Sequence, residues 1–379
     1  MAVSGQKWKN RESGIELLRL ISMFMIVISH VLMSLCYTSL YISDNGYVLP
    51  IYNTSSDWRI ITMVVIRHFG NLGATIFFLC SAWFLIGREK VDKKKWLRLL
   101  LDNWVISVTI FIIVLIINGG EPKLNPGYSF FPVFYCCNWF VSCYLIFLVI
   151  APFLNMIIRS ITQKTLLRLV VFMIAFIVPM GYVLHKTSFV SPLLVWFVVF
   201  FAIAYIKLYR SEFADKTSAG IALFLAGTAG LVGTVLISEA LANTAGAQTI
   251  GILDYNTDSN PFIILMAFGL FILFRNLKFK NQIINYLASL SMFVYVIHEN
   301  IVLRKCYRPL IWKEIYSRYG YSYILSKLLL VSLCVFAAAI ILSILYDLTL
   351  RKFVAKVGDT LYEAGRKIYL RFEKRALNE

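Results

Sequence analysis

Long apolar runs separated by short polar or basic segments make up most of this sequence. A helix needs about 20 apolar residues to cross the hydrocarbon core of a bilayer, and most of these runs approach or reach that length. The pattern therefore predicts an all-α polytopic membrane protein with about ten transmembrane helices. The candidate spans lie near 14–36, 71–87, 104–118, 138–158, 166–184, 191–206, 217–237, 261–275, 282–303 and 322–350. Residues 58–70 fit either an interfacial helix or part of a span.

Lysine and arginine are distributed unevenly between the two sides of these predicted spans. If the N-terminus is cytoplasmic, most of the basic residues fall in cytoplasmic segments, including the dense run from Arg88 to Arg98. The loop after the ninth span is the exception on the other side, with Arg304, Lys305, Arg308, Lys313 and Arg318. Because cytoplasmic loops of membrane proteins carry the excess of positive charge, both termini are predicted to be cytoplasmic.

The chain divides into a predicted transmembrane domain, residues 1–350, and a basic tail, residues 351–379. The tail has helical apolar spacing, many cations and no proline. It is expected to form a helix that either lies on the inner leaflet or is solvated. The longest polar connections, 37–57, 119–137 and 238–260, fall on the outer side, where loops of this length can shape an entrance for a substrate.

Composition excludes a soluble globular domain. Of the 379 residues, 59% are hydrophobic and only 15% are charged, and the mean hydropathy is +0.74. The net charge of +17 is concentrated at the ends of apolar runs, where cations orient spans and contact anionic headgroups, so no nucleic-acid partner is expected. The seven cysteines show no C-x-x-C spacing, so neither a disulfide framework nor a metal site is expected.

The first predicted span carries Glu16, Arg19 and His30. An ionisable side chain in hydrocarbon costs several kcal/mol unless it is paired or faces water, so such residues mark functional sites. On a helix, His30 lies within about 20° of Arg19 and about 16 Å further along the axis. Neutral imidazole can act as a general base, and guanidinium suits phosphate or carboxylate. The structural alternatives are a hydrogen-bonded packing histidine and an interfacial arginine that Glu16 neutralises.

The run REKVDKKKWLR, residues 88–98, is a second candidate. Most such runs only orient the neighbouring spans. Six cations in eleven residues also suit a phosphorylated cytoplasmic ligand, and Lys95 and Arg98 lie one helical turn apart, pointing the same way.

The ninth predicted span provides a third candidate. Ser291, Tyr295 and His298 occur at i, i+4 and i+7, so they form a polar stripe on one helical face. Such a stripe must face protein or water, and it serves either as a set of interhelical hydrogen bonds or as part of a site.

Together these segments resemble the acyltransferase-3 family of integral membrane acyltransferases, over about residues 11–350. Arg19 to His30 repeats the basic residue, ten intervening residues and histidine of that family's first span, with Glu16 where aspartate is usual. Phe77 to Leu85 resembles its phenylalanine-rich span, with Ser81 retained and Ala82 replacing glycine. The remaining matches are Lys95 and Arg98 for an R-x-x-R element, Asn138-Trp139-Phe140 for a Trp-Phe motif, and Ser291, Tyr295 and His298 for an S-x-x-x-Y-x-x-H pattern.

The resemblance implies a multi-pass O-acetyltransferase of the bacterial plasma (inner) membrane. Its donor would be cytoplasmic acyl-CoA, with acetyl-CoA first among the candidates, and its acceptor a hydroxyl of a cell-surface or lipid-linked carbohydrate. No cofactor beyond this co-substrate is expected. His30 would be the catalytic histidine, assisted by Glu16 and Arg19, acting as general base or through an acyl-histidine. Arg19, Lys95 and Arg98 would hold the donor, and Ser81, Asn138, Trp139, Ser291, Tyr295 and His298 would line or brace the substrate site.

Two other classes of function remain alternatives. A transporter or flippase of lipid-linked sugars would use the same intramembrane arginine and histidine, because such residues also mark translocation pathways. In a purely structural membrane protein, these side chains would only tie helices together.

Overall fold

The part of the chain that the structure describes is mostly helical. A computed structural model describes residues 12–41, 58–186, 190–245, 257–308, 310, 311, 314, 318 and 322–376. These residues contain fifteen α-helices and no strand, which confirms the all-α prediction. The helices are α1 Gly14–Tyr41, α2 Trp58–Arg67, α3 Phe69–Leu85, α4 Lys93–Ile117, α5 Gly127–Phe130, α6 Trp139–Ser160, α7 Gln163–Val178, α8 Pro192–Tyr209, α9 Ser211–Asp215, α10 Thr217–Ala245, α11 Pro261–Asn276, α12 Gln282–Ser289, α13 Ser291–His298, α14 Ile324–Leu348 and α15 Arg351–Ala376.

Eight helical segments within the described ranges are long and apolar enough to cross a membrane. They are Gly14–Met33, Ile61–Leu85, Lys93–Ile117, Trp139–Ser160, Gln163–Val183, Pro192–Tyr209, Thr217–Ser238 and Ile324–Leu348. The chain is therefore a multi-pass membrane protein. The expectation that both termini are cytoplasmic stays a prediction.

The other two predicted spans are a short helix and a divided one. Helix α11 has 16 residues, a length of about 24 Å, which is short for an untilted span. The predicted span 282–303 is not one continuous helix, because α12 ends at Ser289 and α13 begins at Ser291. Buried Asn285 accepts a hydrogen bond from the Ser13 hydroxyl at 2.8 Å, so α12 is fixed to the start of α1 by polar contacts that a lipid-exposed span would lack.

Two predicted boundaries also move. The span predicted at 104–118 begins at Lys93, because the Asp92 side chain accepts a hydrogen bond from the Lys95 backbone N–H and caps the helix. Residues 58–70 form α2 and the start of α3, and most of them belong to the span Ile61–Leu85.

The candidate site residues lie near the two ends of the helix layer. One end, called the basic face below, carries the start of α1, the α3–α4 connection and the ends of α8 and α11. The Ser13 backbone N–H donates to the Phe279 carbonyl at 2.9 Å, which holds the start of α1 against the α11–α12 connection. The other end, called the loop face, carries the end of α13 and the start of α6.

Aromatic side chains pack α3, α6 and α8 together in the core. The Phe78 ring stacks on Trp196 with centroids 4.5 Å apart, and it meets Phe147 edge-on at 4.7 Å. Phe140 of α6 joins this cluster and extends it to Tyr295 of α13 at 5.5 Å. Tyr295 is therefore held by the same packed rings that fix three membrane-spanning helices.

Helices α1 and α3 approach each other closely at Gly73. A Cβ atom there would lie 2.5 Å from the Ser22 carbonyl oxygen and 2.8 Å from Ile26 Cγ1. Only glycine allows this approach. The tight packing supports the stretch of α1 that lies between Arg19 and His30.

Candidate functional site

His30 meets the end of α13 near the loop face. Its Nδ1 atom lies 2.9 Å from Oε2 of Glu299 and 3.2 Å from Nε2 of His298. The two imidazole rings stack with centroids 5.4 Å apart, and Tyr295 lies beside them, 6.3 Å from the His30 ring. The structure thus brings together His30, Tyr295 and His298 from sequence positions more than 260 residues apart.

The hydrogen-bond partners determine which nitrogen of His30 carries the proton. Nδ1 of His298 faces the Val294 carbonyl oxygen at 2.8 Å, so it carries a proton and donates. The Nε2 of neutral His298 is then an acceptor. Because His30 Nδ1 faces this acceptor and the Glu299 carboxylate, it is the protonated nitrogen. When His30 is neutral, its Nε2 therefore has the lone pair, which is the form that a general base needs.

Glu299 is buried and fully engaged. Its Oε1 accepts a hydrogen bond from Arg304 at 2.6 Å, and its Oε2 accepts one from Arg308 at 3.2 Å. Opposite charges at these distances favour the carboxylate form. Arg308 is itself buried and also donates to the backbone carbonyls of His30 and His298. Glu299 therefore presents a fixed negative charge to His30.

One group of metal-ligand type occurs among the described residues, and it is this cluster. The ligand atoms of His30, His298 and Glu299 lie within 4.8 Å of one another. However, both carboxylate oxygens already accept hydrogen bonds from guanidinium groups. Two arginines therefore supply the positive charge that a metal ion would bring, and the arrangement fits a hydrogen-bonded base better than a metal site.

The polar stripe of α13 is buried throughout. Ser291 is 0% and Tyr295 1% exposed. The Ser291 hydroxyl has no hydrogen-bond partner within the described ranges, and the Tyr295 hydroxyl lies beside the Phe140 backbone without reaching hydrogen-bond geometry. Buried polar groups are almost always paired in native proteins, so such groups suggest contacts with a ligand.

Arg19 lies near the other end of α1, close to the basic face. It forms an ion pair with Glu16 at 3.1 Å and donates to the Cys80 carbonyl at 3.4 Å. Its guanidinium carbon lies 5.9 Å from the centre of the Phe84 ring. The Nε atom is buried and has no partner in the described part of the chain. The i, i+3 pair with Glu16, which was the structural alternative for this residue, is therefore present, and Arg19 keeps one donor for another group.

Asn138, Trp139 and Ser81 occupy the packed interior. Nδ2 of Asn138 donates to Oδ1 of Asn103 at 2.9 Å, while Oδ1 of Asn138 and Nδ2 of Asn103 stay unpaired among the described residues. Trp139 is partly buried beside Trp196, with ring centroids 6.3 Å apart. The Ser81 hydroxyl donates to the Phe77 carbonyl of its own helix at 3.2 Å.

Lys95 and Arg98 lie on the surface of the basic face. Lys95 is exposed. Arg98 forms a bidentate ion pair with Asp359 of the tail helix α15, in which its Nη2 lies 2.7 Å from Oδ1 and 2.6 Å from Oδ2 of Asp359. The hydrogen bond from Arg98 lowers the pKa of Asp359. Lys94 forms a second contact with the tail, 2.9 Å from Glu363. The tail is therefore helical, as predicted, and two of its carboxylates engage the basic run.

The contacts among Glu299, Arg304 and Arg308 do not follow from the sequence motifs. The available signal was the excess of positive charge in the loop after the ninth span, which departs from the general charge bias. Arg304 and Arg308 begin that loop, and the structure shows that both turn back to Glu299. Both cations pair with a buried carboxylate, which explains part of the excess of positive charge in this loop.

Comparison with known proteins gives a family. A model of an acyltransferase domain matches residues 12–348, which is most of the chain. No curated protein and no solved structure matches. The matched region includes every helix from α1 to α14, and with them His30, Arg19 and the polar stripe. The chain therefore belongs to the acyltransferase-3 family of membrane acyltransferases.

Proposed function

We propose that this membrane acyltransferase moves an acetyl group from cytoplasmic acetyl-CoA to a hydroxyl of a cell-surface or lipid-linked carbohydrate. The observation that carries the proposal is the environment of His30. Glu299 and His298 both accept from its Nδ1–H, so Nε2 is the basic nitrogen. An imidazole oriented in this way is suited to take a proton from an attacking hydroxyl.

In the proposed step, Nε2 of His30 removes the proton from the acceptor hydroxyl as its oxygen attacks the thioester carbonyl. The C–S bond then breaks, and the proton passes from His30 to the departing CoA sulfur. Glu299 stabilises the imidazolium that exists between these two transfers. A positioned general base contributes a rate factor of about 10²–10⁴.

The spacing along α1 supports a donor that enters from the basic face. Arg19 lies eleven residues before His30, about 16 Å along the helix axis, and the extended pantetheine arm of acetyl-CoA suits such a separation. Ser291 lies about 10 Å before His298 along α13, which places its unpaired hydroxyl between the two levels. Leaving a buried polar group unpaired costs about 1–3 kcal/mol, and the amides of the arm would supply partners.

Acetyl transfer is the direct test. Purified protein in lipid nanodiscs receives radiolabelled acetyl-CoA and membrane carbohydrate acceptors, and label in the carbohydrate fraction is measured. His30→Ala should abolish transfer while the protein stays folded by size-exclusion chromatography. Wild-type protein that moves lipid-linked sugar and transfers no acetyl group would instead support a transporter.

The same label distinguishes the two chemical routes. In the absence of acceptor, direct transfer leaves the protein unlabelled. Stable label on His30 would show that the reaction passes through an acyl-histidine, and His30 would then be the nucleophile instead of the base.

A further inference from the structure

Three helix ends converge on Trp83 at the basic face. Lys207, in the last turn of α8, donates to the Trp83 carbonyl at 2.6 Å, and its Nζ lies 4.9 Å from the centre of the Trp83 ring. Arg275, in the last turn of α11, places its guanidinium carbon 4.8 Å from the same centre. Two cations from different helices thus share one aromatic side chain at the end of α3.

Helix-end chemistry explains each cation alone but not their convergence. A cation in the last turn of a helix is favoured by the helix dipole, and cation–π attraction adds to this. Lys207 also lies within electrostatic range of Arg275 and Arg88, and these like charges oppose one another. Bringing them together costs free energy unless an anion is present.

The nearby acidic groups do not balance this charge. Asp215 pairs with Arg275 at 2.6 Å and is 62% exposed. Lys207 forms no ion pair with an acidic residue in the described part of the chain. This end of the helix layer therefore keeps a surplus of positive charge beside an aromatic ring.

Arg19 belongs to the same surroundings. It donates to the Cys80 carbonyl and lies over Phe84, so it contacts the last two turns of α3 next to Trp83. The start of α1 also abuts the end of α11, since a Cβ atom on Gly14 would fall 2.7 Å from the Leu277 carbonyl oxygen. Arg19, Trp83, Lys207 and Arg275 are called the Trp83 cluster below.

The basic run of α4 differs in this respect. Arg98 is matched by Asp359 and Lys94 by Glu363, both from the tail helix. In the Trp83 cluster two of the three cations are also paired, Arg19 with Glu16 and Arg275 with Asp215. The difference lies in Lys207, which has no acidic partner in the described part of the chain, and in the buried Nε of Arg19, which has no partner there either.

We infer that the Trp83 cluster binds the phosphate groups of the acyl donor, with Lys207 and Arg275 as the phosphate-binding residues beside Arg19. The inference rests on the proposed function and names a donor site on helices that the sequence motifs did not include. Guanidinium and ammonium groups together suit a ligand with several phosphates. The site lies at the Arg19 end of α1, so the thioester end of the same donor extends toward His30.

Comparing two donors tests this site. Acetyl-CoA has phosphates, whereas acetyl-pantetheine has the same thioester and arm without them. In neutral phosphatidylcholine nanodiscs, Lys207→Gln and Arg275→Gln should raise the KM for acetyl-CoA roughly 10- to 100-fold, the usual range for a charge-assisted hydrogen bond. The kinetic constants for acetyl-pantetheine should stay unchanged. Lys216→Gln is the matched control, since it removes an exposed cation near the same helix ends and should leave both donors unaffected.

Two results would overturn the inference. The first is an unchanged KM for acetyl-CoA in both variants. The second is an equal loss with both donors, which would show that Lys207 and Arg275 act on the fold.

A lipid headgroup offers the same phosphate chemistry, and a second arm separates it from the donor. The kinetics are repeated with phosphatidylglycerol in the nanodiscs. Three results together would show that the cluster binds lipid phosphate and that the donor assignment is wrong. Anionic lipid raises the KM of the wild type, Lys207→Gln abolishes that increase, and in neutral nanodiscs Lys207→Gln leaves the KM unchanged.

Direct binding of CoA separates this inference from the proposed function. Calorimetric titration with CoA requires no transfer. Binding to the wild type that Lys207→Gln weakens would support the phosphate site even if no acetyl group reached a carbohydrate. Equal binding to both proteins would refute the site even if transfer occurred.

Discussion

The role of Glu299 leads to the most informative prediction. In Glu299→Gln, one carboxylate oxygen becomes an NH₂ group, and every hydrogen-bonding neighbour of that carboxylate is a donor. Oε1 faces Arg304, while Oε2 faces His30 and Arg308. The amide therefore places a donor against a donor in either orientation, and it carries no charge to stabilise the His30 imidazolium.

The size of the effect follows from the 2.9 Å contact between His30 and Glu299. Two unit charges at that distance attract by about 6 kcal/mol at an effective dielectric constant of about 20. Arg304 and Arg308 oppose the imidazolium and reduce the benefit, so about 3–4 kcal/mol is a reasonable estimate. At 1.36 kcal/mol per factor of ten, kcat should fall roughly 10²- to 10³-fold. KM for acetyl-CoA should change little, because Glu299 lies beside His30, about 16 Å along α1 from Arg19.

The assay is steady-state acetyl transfer, normalised to the monodisperse fraction on size exclusion. This normalisation matters because Glu299→Gln removes the carboxylate that pairs with buried Arg308 and should destabilise the fold by about 3–5 kcal/mol. Arg304→Gln is the matched control, since it removes the partner of Oε1 and leaves the Oε2 that faces His30. A folded Glu299→Gln protein with wild-type kcat, or a loss equal to that of Arg304→Gln, would refute the positioning role.

Three further predictions concern the tail, a partly buried acid and the α1–α3 contact. Asp359→Asn should release the tail helix from Arg98, so residues 351–376 should be cut faster by trypsin. Because the pKa of Asp359 is lowered, the same release should occur in the wild type as the pH falls through that lowered pKa. Burial raises the pKa of Asp258 to about 6, so Asp258→Asn should stabilise the fold at pH 8 by up to about 3 kcal/mol and have little effect at pH 4. Gly73→Val should lower the melting temperature, whereas Gly233→Ala, with open space around it, should not.

Each of these has an outcome that contradicts it. Glu373→Gln changes another exposed residue of the tail. If trypsin cleaves this variant as fast as Asp359→Asn, the release of the tail is not specific to Asp359. The sign for Asp258 follows from its raised pKa: the carboxylate is disfavoured in the folded state, so stability falls as the pH rises through about 6. Stability of Asp258→Asn that matches the wild type at pH 8 would contradict this. A Gly73→Val protein with unchanged melting temperature would show that α1 and α3 can separate without cost.

The sequence was most informative where local spacing determines geometry. The offset of eleven from Arg19 to His30 places both on one side of a helix whatever packs against it, and the same holds for the spacing of Ser291, Tyr295 and His298. These patterns depend on 3.6 residues per turn alone. The membrane-spanning segments were also predictable, since bilayer thickness sets their length.

Partners distant in sequence were not predictable in this way. The carboxylate that meets Arg98 lies 261 residues later in the chain, and no local pattern indicates which of several tail acids makes the contact. Lys207 and Arg275 each resemble an ordinary helix-end cation, and only the packing of α8 and α11 against α3 brings them to Trp83. No glycine or proline in the sequence marks the break between α12 and α13 at Leu290. The position of α12 depends instead on tertiary contacts at Asn285.

Arg308 has a mechanical consequence. Because Arg308 donates to the main-chain oxygens of both His30 and His298, it links α1 to the end of α13 without using either imidazole ring. The backbones of His30 and His298 are therefore held next to each other. Any opening that admits the acyl acceptor must therefore displace helices that Arg308 does not link.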